Sequence, residues 1–262
     1  MHIMNIVEKI KRTIVNGVPE PHFTVFDFDN TYIENDIQEA MLGYLCRHDL
    51  LRNPALAEVS LTNDRGAYHE AVFRNYHNLL EKNDMLGAYR YAIRTLAGFS
   101  IKEVKELTLK TINDEGEVIM ETELFGIKIA KGLRIRKSVK KLAEEMNTLR
   151  VNIWIISASF QPVVATALHH YKLLGECIGI NLVEKDGVFV DVFVEPLSVL
   201  EGKVDCIKQF IHSSVRPLLG VGDSMNDLPM LEYSRMKVVV DRGNALAGEA
   251  KKEGWEVISN EI

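Results

Sequence analysis

The 262-residue sequence has few cysteines, no long apolar run and no excess of positive charge. The three cysteines, Cys46, Cys177 and Cys206, are odd in number and lack metal-type spacing, which predicts free thiols in a reducing compartment. No segment approaches the roughly 20 apolar residues that a membrane-spanning helix requires. The net charge of −6, from 31 basic and 37 acidic residues, argues against nucleic acid or an anionic membrane as a partner.

The composition is that of an ordinary globular protein, with 47% hydrophobic and 26% charged residues. A chain of this length can form one core domain that carries a second, smaller domain. Residues 1–15 alternate apolar and charged positions, which predicts a short amphipathic helix instead of a signal peptide. We therefore expect a cytoplasmic protein, whose oligomeric state no sequence pattern indicates.

The first strand and the segment after it differ in their apolar patterns. Residues 23–26 form a short apolar run that ends at Asp27, which is typical of a buried parallel strand. Apolar residues then recur at helical spacing, and Ser100 with Glu103 predicts a capping box for a helix that ends at Gly116. Residues 33–135 are therefore predicted to be helical, without a strand.

Helices and strands alternate in the remainder of the chain. The predicted helices cover residues 136–148, 160–171 and 202–213, and the predicted strands cover 151–156, 177–184, 188–194, 217–221, 238–240 and the region of residue 257. This alternation predicts the α/β class, with a Rossmann-like parallel sheet built from residues 1–32 and 136–262. Residues 33–135, inserted after the first strand, would form a helical cap domain.

Polar residues follow three of the predicted strands. Asp27 and Asp29 follow the first strand, Ser157 follows the strand at 151–156, and Asp223 follows the strand at 217–221. Ligands of open parallel sheets bind beyond the carboxyl ends of the strands. We therefore expect these side chains to converge at one edge of the sheet.

Asp27 is a candidate nucleophile. A carboxylate that accepts a phosphoryl group forms an acyl phosphate, which divides one difficult displacement into two easier ones. Asp29, two residues later, could protonate the departing alcohol and then deprotonate the attacking water. Because Asp and Asn are common turn formers, a strand-end turn without chemistry is the alternative.

Asp223 and Asp227 belong to a candidate magnesium site. Mg²⁺ takes hard oxygen ligands and usually only one or two protein carboxylates. Asp223 and Asp27 meet that need, and the backbone carbonyl of Asp29 could add a third contact. Asp227 could orient a metal-bound water or a ligand. The alternative for Asp223 is a helix cap.

Ser157 and Lys203 are candidate contacts for the phosphate. A serine hydroxyl and backbone amides that precede a helix can bind a phosphate oxygen, although serine is also a common cap there. Lys203 could balance the charges of the nucleophile and of the phosphoryl group, and Lys208 is the competing lysine. Either lysine could instead be a solvated residue on a helix face.

Four segments together resemble the motifs of the haloacid dehalogenase (HAD) superfamily: VFDFDNT, IISAS, Gly-Lys at 202–203, and GVGDSMND. The resemblance implies a HAD-like Rossmannoid core. It also implies Asp27 as nucleophile, Asp29 as general acid and base, Ser157 and Lys203 at the phosphate, and Asp223 with Asp227 at Mg²⁺. True dehalogenases of the superfamily lack the second carboxylate of the first motif, so Asp29 favours phosphate chemistry over carbon–halogen cleavage.

The position of the inserted segment resembles the phosphoserine phosphatase branch, whose helical cap follows the first motif. ENDIQEAMLGYL and YRYAIRTLAGFSIKEV also look similar to segments of bacterial phosphorylcholine phosphatases. Asp36 lies near the position where phosphoserine phosphatases place an acid facing the substrate amine, but with Glu39 it also makes a good helix cap. Tyr32 could offer an aromatic face to a quaternary ammonium group or simply pack in the cap.

The sequence therefore predicts a Mg²⁺-dependent phosphomonoesterase that acts through an aspartyl-phosphate intermediate. Its expected substrate is a small phosphorylated metabolite bearing an amine, like phosphoserine or phosphocholine. A phosphotransferase with the same chemistry and a non-catalytic protein that binds a phosphate ligand are the alternatives. Four arginines of the inserted segment are candidate anchors for a substrate carboxylate, and the sequence does not rank them: Arg65, Arg74, Arg90 and Arg94.

Overall fold

A computed structural model describes residues 2–259 of the chain. The first elements are α1 (His2–Val15) and β1 (Phe23–Phe26). The segment after β1 contains β2 (Ile33–Glu34), α2 (Ile37–Arg47), a 3₁₀ turn (Pro54–Leu56), α3 (Arg65–Glu81), α4 (Met85–Arg94), α5 (Ile101–Glu115), β3 (Met120–Leu124), β4 (Ile127–Lys131) and β5 (Arg134–Ile135). The remainder contains α6 (Lys137–Thr148), β6 (Asn152–Phe160), α7 (Gln161–His170), β7 (Glu176–Lys185), β8 (Val188–Val194), α8 (Glu201–Phe210), β9 (Leu219–Gly222), a 3₁₀ turn (Met225–Asp227), α9 (Leu228–Tyr233), β10 (Met236–Val240), α10 (Ala245–Glu253) and β11 (Glu256–Ile258).

Seven strands form one central sheet in the order β11-β10-β9-β1-β6-β7-β8. All neighbouring strands are parallel except β7 and β8, which form an antiparallel hairpin. β1 lies at the centre, between β9 and β6, and all four of its residues are buried, as its apolar run predicts. The predicted α/β class with a Rossmann-like core is confirmed.

The helices of the inserted segment share their core with the sheet. Leu42 of α2 and Phe73 of α3 belong to the same buried apolar cluster as Phe26 of β1 and Ile155 of β6. The two ends of the segment meet in the antiparallel pair β2–β5, where Ile33 lies opposite Ile135. The division into a core of residues 1–32 and 136–262 and a cap of residues 33–135 stays a prediction.

The expectation that residues 33–135 lack strands was wrong. Besides the short pair β2–β5, β3 and β4 form a hairpin with a tight turn at Phe125 and Gly126, whose φ angles are +51° and +76°. Every residue of β3 and β4 keeps some exposure to solvent. Ile127 and Ile129 alternate with the polar Lys128 in β4, a strand pattern that the expectation of an all-helical segment overlooked.

The predicted end of a strand at Ser157 was also wrong, because β6 continues to Phe160. The pairing of β6 with β7 shifts in register between Ile156 and Phe160, and α7 begins at Gln161. Ser157 and Ser159 are polar, yet they stay within the strand because both hydroxyls donate to the carboxylate of Asp29. A long-range partner thus extends β6 beyond its apolar run.

Other predictions of local structure agree with the structure. Asp186 and Gly187, with φ angles of +52° and +80°, form the turn between β7 and β8. Both hydrogen bonds of the capping box between Ser100 and Glu103 are formed at the start of α5. The three cysteines are free thiols. Among the described helices, none is both long enough and apolar enough to cross a membrane.

Candidate active site

The carboxyl ends of the central strands bring the predicted acids together. Asp27 follows β1, and Asp223 follows the neighbouring strand β9. Both are buried, with 6% and 2% of their surfaces exposed. The carboxylates of Asp27, Asp223 and Asp227 each offer an oxygen, and these oxygens all lie within 4.8 Å of one another. The sheet therefore assembles, from two distant motifs, the acidic cluster that the sequence predicts.

Lys203 lies beneath this cluster and is fully buried. Its Nζ donates to Asp27 Oδ1 at 2.7 Å and to Asp227 Oδ1 at 2.5 Å. Burial alone would lower the pKa of Lys203, but the carboxylates of Asp227 and Asp27 raise it overall, so the side chain is an ammonium ion. The competing candidate, Lys208, lies outside the cluster, over the ring of Tyr233 at 5.3 Å.

Asp227 is bonded by protein donors on both of its oxygens. Oδ1 accepts from Lys203, and Oδ2 accepts from the backbone N–H groups of Asp223 and Ser224, each at 3.0 Å, and from the Ser224 hydroxyl. Asp227 thereby fixes both the loop after β9 and the buried ammonium group. This arrangement is that of a residue that orients other ligands, and its role at a cation stays a prediction.

Asp223 receives a donor on each carboxylate oxygen. Thr31 Oγ1 donates to Oδ1 at 3.0 Å, and Arg242 Nη1 donates to Oδ2 at 2.7 Å. The backbone carbonyl of Asp223 accepts from Asn244 Nδ2, which joins the loop after β9 to the start of α10. Asp223 does not cap the following helical turn, because Ser224 occupies the cap position there.

Asp29 faces the cluster from the other side of the Asp27 loop. Oδ1 accepts from the backbone N–H of Ile37 at 2.8 Å, and Oδ2 accepts from Ser159 Oγ at 2.7 Å and Ser157 Oγ at 3.2 Å. Burial raises the pKa of Asp29 to about 8, and the nearby carboxylate of Asp36 adds to the rise. A carboxyl group with this pKa is protonated near neutral pH and can donate its proton.

The pKa of Asp27 also lies well above its ordinary value. Burial is the largest cause, and the carboxylates of Asp227 and Asp223 add to it, whereas Lys203 opposes the rise. Burial and Asp227 likewise raise the pKa of Asp223 to about 6. Close, buried carboxylates repel one another, so this cluster favours the binding of a cation.

The donor set of the cluster fits Mg²⁺. The three clustered side chains offer hard carboxylate oxygens, which Mg²⁺ prefers. In the described part of the chain, Lys203 and Arg242 are the lysine and arginine bonded to these three side chains. When all three carboxylates are ionised, they carry one negative charge more than these two cations supply, which favours a cation among them.

A cavity of about 220 Å³ opens above the cluster, and we call it the first cavity. Asp27, Asp29 and Asp223 form its floor, and Tyr76 of α3, Tyr89 of α4 and Asp36 line its upper part. Asp36 also caps α2, since its Oδ1 accepts from the backbone N–H groups of Gln38 and Glu39. Both readings of Asp36 are thus compatible with its position, and its contact with substrate stays a prediction.

Tyr32 does not line the first cavity. It is fully buried in the core, with its ring 6.0 Å from that of Phe26, so of the two alternatives for this residue the structure favours packing. Tyr76 and Tyr89 line the first cavity instead. Tyr76 belongs to an apolar repeat at helical spacing, a pattern that does not distinguish a cavity wall from the core.

The four arginines proposed as carboxylate anchors do not line the first cavity. Arg65 donates to the carbonyl of Asp49, Arg74 pairs with Glu70, Arg90 stacks on Phe193 and Arg94 pairs with Asp191. Arg242, which no motif indicated, lines the cavity instead. Its position in a loop after β10 has no sequence signature, and only the fold brings it to Asp223.

The sequence profile of the haloacid dehalogenase-like hydrolases matches residues 24–232, so the chain belongs to this family. Family membership is confirmed, and the predicted hydrolase class agrees with it. A phosphorylcholine phosphatase of Pseudomonas aeruginosa is 25% identical over 196 residues, which cover 70% of this chain and 55% of that protein. A histidinol-phosphatase of Neisseria meningitidis serogroup C is 24% identical over 246 residues, which cover 91% of this chain and 98% of that protein.

Solved structures share the fold at low sequence identity. A protein of unknown function from Anaerococcus prevotii superposes with a TM-score of 0.72 and 20% identity, covering 98% of this chain and 91% of that chain. A phosphoserine phosphatase in its apo form superposes with a TM-score of 0.54 and 13% identity, covering 92% and 94%. The chain spans little more than half the length of the phosphorylcholine phosphatase but nearly all of the histidinol-phosphatase.

Proposed function

We propose that the protein is a Mg²⁺-dependent phosphomonoesterase that transfers the phosphoryl group of its substrate to Asp27. The single observation that carries the proposal is the buried cluster in which Asp27 lies within 4.8 Å of two further carboxylates and 2.7 Å from Lys203 Nζ. A nucleophilic carboxylate must approach a dianionic ester, so positive charge has to surround both groups. Lys203 supplies one such charge at Asp27 itself.

Asp27, Asp223 and Asp227 would hold the Mg²⁺ ion, with the backbone carbonyl of Asp29 as a further contact. When bound, the ion would neutralise the charge of the phosphoryl oxygens and bring them close to the carboxylates. Asp27 Oδ2, the oxygen not bonded to Lys203, is the one that would attack phosphorus. The attack forms the Asp27–phosphorus bond and breaks the bond from phosphorus to the substrate oxygen.

Asp29 is the proposed proton donor and acceptor. Its raised pKa of about 8 keeps a proton available for the departing alcohol at neutral pH. After the transfer, Asp29 is ionised and takes a proton from water, which attacks the aspartyl phosphate and releases inorganic phosphate. Ser157 and Ser159 hold the Asp29 carboxyl through their hydroxyls, and Ser157 is also a proposed contact of the phosphate.

The proposed substrate is a small metabolite with an amine. Asp36 in the upper part of the first cavity supports this, and Tyr76 and Tyr89 add aromatic surface suited to an organic cation. The named activities of the two relatives, towards phosphorylcholine and histidinol phosphate, both concern nitrogen-containing alcohols. A cytoplasmic location also stays part of the proposal.

The test compares Asp27→Asn with wild type and with Asp205→Asn, an exposed acid on α8, in the hydrolysis of p-nitrophenyl phosphate with MgCl2. We expect no measurable turnover by Asp27→Asn with an unchanged circular dichroism spectrum, whereas Asp205→Asn stays active. Release of inorganic phosphate without an acceptor alcohol would separate hydrolysis from phosphotransfer. Metal-dependent turnover by folded Asp27→Asn would refute the proposal.

A further inference from the structure

A second cavity, of about 140 Å³, adjoins the first. The two cavities share four lining residues: Asn30, Asp36, Glu39 and Arg242. The second cavity extends from them to Arg47 of α2 and Glu115 at the end of α5. The second cavity therefore lies beside the first, along these four residues.

The two arginines of the second cavity are already paired with acids. Arg242 Nη1 lies 2.7 Å from Asp223 Oδ2, and Arg47 Nη1 lies 2.6 Å from Asp114 Oδ2. Lys131 Nζ lies 3.6 Å from the same Asp114 oxygen. Little positive charge therefore remains for the other acids of the cavity.

The carboxylates of Asp36, Glu39 and Glu115 have no lysine or arginine within 4.0 Å among residues 2–259. Asp36 and Glu115 accept backbone N–H groups, and the nearest cationic candidate for Glu39 is a ring nitrogen of His77 at 4.0 Å. With Asp114 included, four carboxylates share the positive charges of Arg47 and Lys131, and Arg242, which lines both cavities, is already paired with Asp223. Burial raises the pKa of all three carboxyl groups, and for Glu39 the value reaches about 7.

A tyrosine hydroxyl of the first cavity also lacks a partner. Tyr76 is 3% exposed and lines the first cavity, and its hydroxyl has no hydrogen bond in the described part of the chain. The carboxylates of Glu39 and Asp36 act on this hydroxyl and, after burial, are the largest contributors to its raised pKa. The hydroxyl is therefore available to a polar group of a ligand in the first cavity.

From these observations we infer that the alcohol part of the substrate carries two basic groups. The nearer group lies between Asp36, Glu39 and Tyr76, and the distal group lies in the second cavity at Glu115. The inference rests on the proposed phosphatase function of the same site and narrows its substrate class to phosphomonoesters of dibasic alcohols. A smaller ester with one amine would leave the second cavity unoccupied and Glu115 without a charged ligand.

The test measures binding, so it does not depend on turnover. Asp27→Asn protein with MgCl2 is titrated by calorimetry with 2-(3-aminopropylamino)ethyl phosphate and with 2-(butylamino)ethyl phosphate, which has a methyl group in place of the terminal amine. We expect the dibasic ester to bind about tenfold more tightly, the gain from one partly buried charged hydrogen bond. Histidinol phosphate, with an amine and an imidazole, is a second dibasic probe.

Variants of the Asp27→Asn protein locate the distal group. Glu115→Gln is expected to remove most of the preference for the dibasic ester, whereas Glu117→Gln, an exposed neighbour outside both cavities, keeps it. Equal affinities of the two esters, or a preference that survives Glu115→Gln, would overturn the inference. Failure of the proposed function looks different, because wild type would then hydrolyse none of the esters while the binding preference persisted.

Discussion

Glu39 should make the protein less stable at alkaline pH, and Glu39→Gln should remove this effect. Burial, followed by the carboxylates of Asp36 and Glu115, raises the pKa of Glu39 from 4.5 to about 7. The pKa of Glu39 is higher in the folded state than in the unfolded state. The stability that protonated Glu39 contributes is therefore fully present below about pH 4.5 and is lost as the pH rises through about 7. The folded protein is therefore progressively destabilised as the pH rises from about 4.5 to about 7.

The magnitude follows from the pKa and from the exposure of the side chain. A rise from 4.5 to about 7 corresponds to about 3 kcal/mol, at roughly 1.36 kcal/mol per pKa unit. Since 29% of the Glu39 side chain is exposed, water screens part of this charge, and we expect about 2 kcal/mol above pH 8.

The assay is urea unfolding of wild type, Glu39→Gln and the exposed control Glu117→Gln, with EDTA present, at pH 5 and pH 8.5. At the lower pH all three free energies of unfolding should agree closely. At the higher pH Glu39→Gln should exceed wild type by about 2 kcal/mol, whereas Glu117→Gln should follow wild type. Parallel pH dependences of wild type and Glu39→Gln would refute the reasoning.

Two further variants test the buried charge and the contact between the inserted segment and the β7–β8 hairpin. Lys203→Met leaves Asp27 and Asp227 without their counter-charge. The free energy of unfolding, measured in urea at neutral pH, should fall by about 3–5 kcal/mol. A loss below about 1 kcal/mol would contradict the ion pairs described. Asp191→Asn removes a carboxylate held at 2.8 Å by Arg94 and at 3.0 Å by Asn53 and should cost about 1–2 kcal/mol, against no change for exposed Glu184→Gln.

The sequence predicts those features that depend on neighbours along the chain. β1 and β9 end at Asp27 and Asp223 because apolar runs of the right length precede these acids. The turn at Asp186–Gly187 requires two residues with positive φ, and this dipeptide adopts them readily. The order of strands then brings both acids to one edge of the sheet.

Features that depend on partners distant in the sequence could not be predicted. Arg242 reaches Asp223 from a loop 19 residues further along the chain, and its charge there belongs to no pattern. Ser159 remains in β6 because its hydroxyl donates a hydrogen bond to Asp29, a contact across 130 residues. The apolar repeat that contains Tyr76 is compatible with a position in the core and with one in a cavity wall. Only the arrangement of the helices places Tyr76 in the wall of the first cavity.

The carboxyl groups of Glu39 and Glu115 reduce stability where they lie, since partial burial raises the pKa of each and no lysine or arginine among residues 2–259 pairs with them. Asp36 differs from them, because it caps α2 through two backbone N–H groups. A chain selected for stability alone would have amides or apolar groups in place of Glu39 and Glu115. A cation between them would offset this cost, and Mg²⁺ at Asp223 would neutralise a different cluster. The two acids therefore support the inferred dibasic ligand, and the stability gained by Glu39→Gln should be accompanied by a loss of affinity for the dibasic ester.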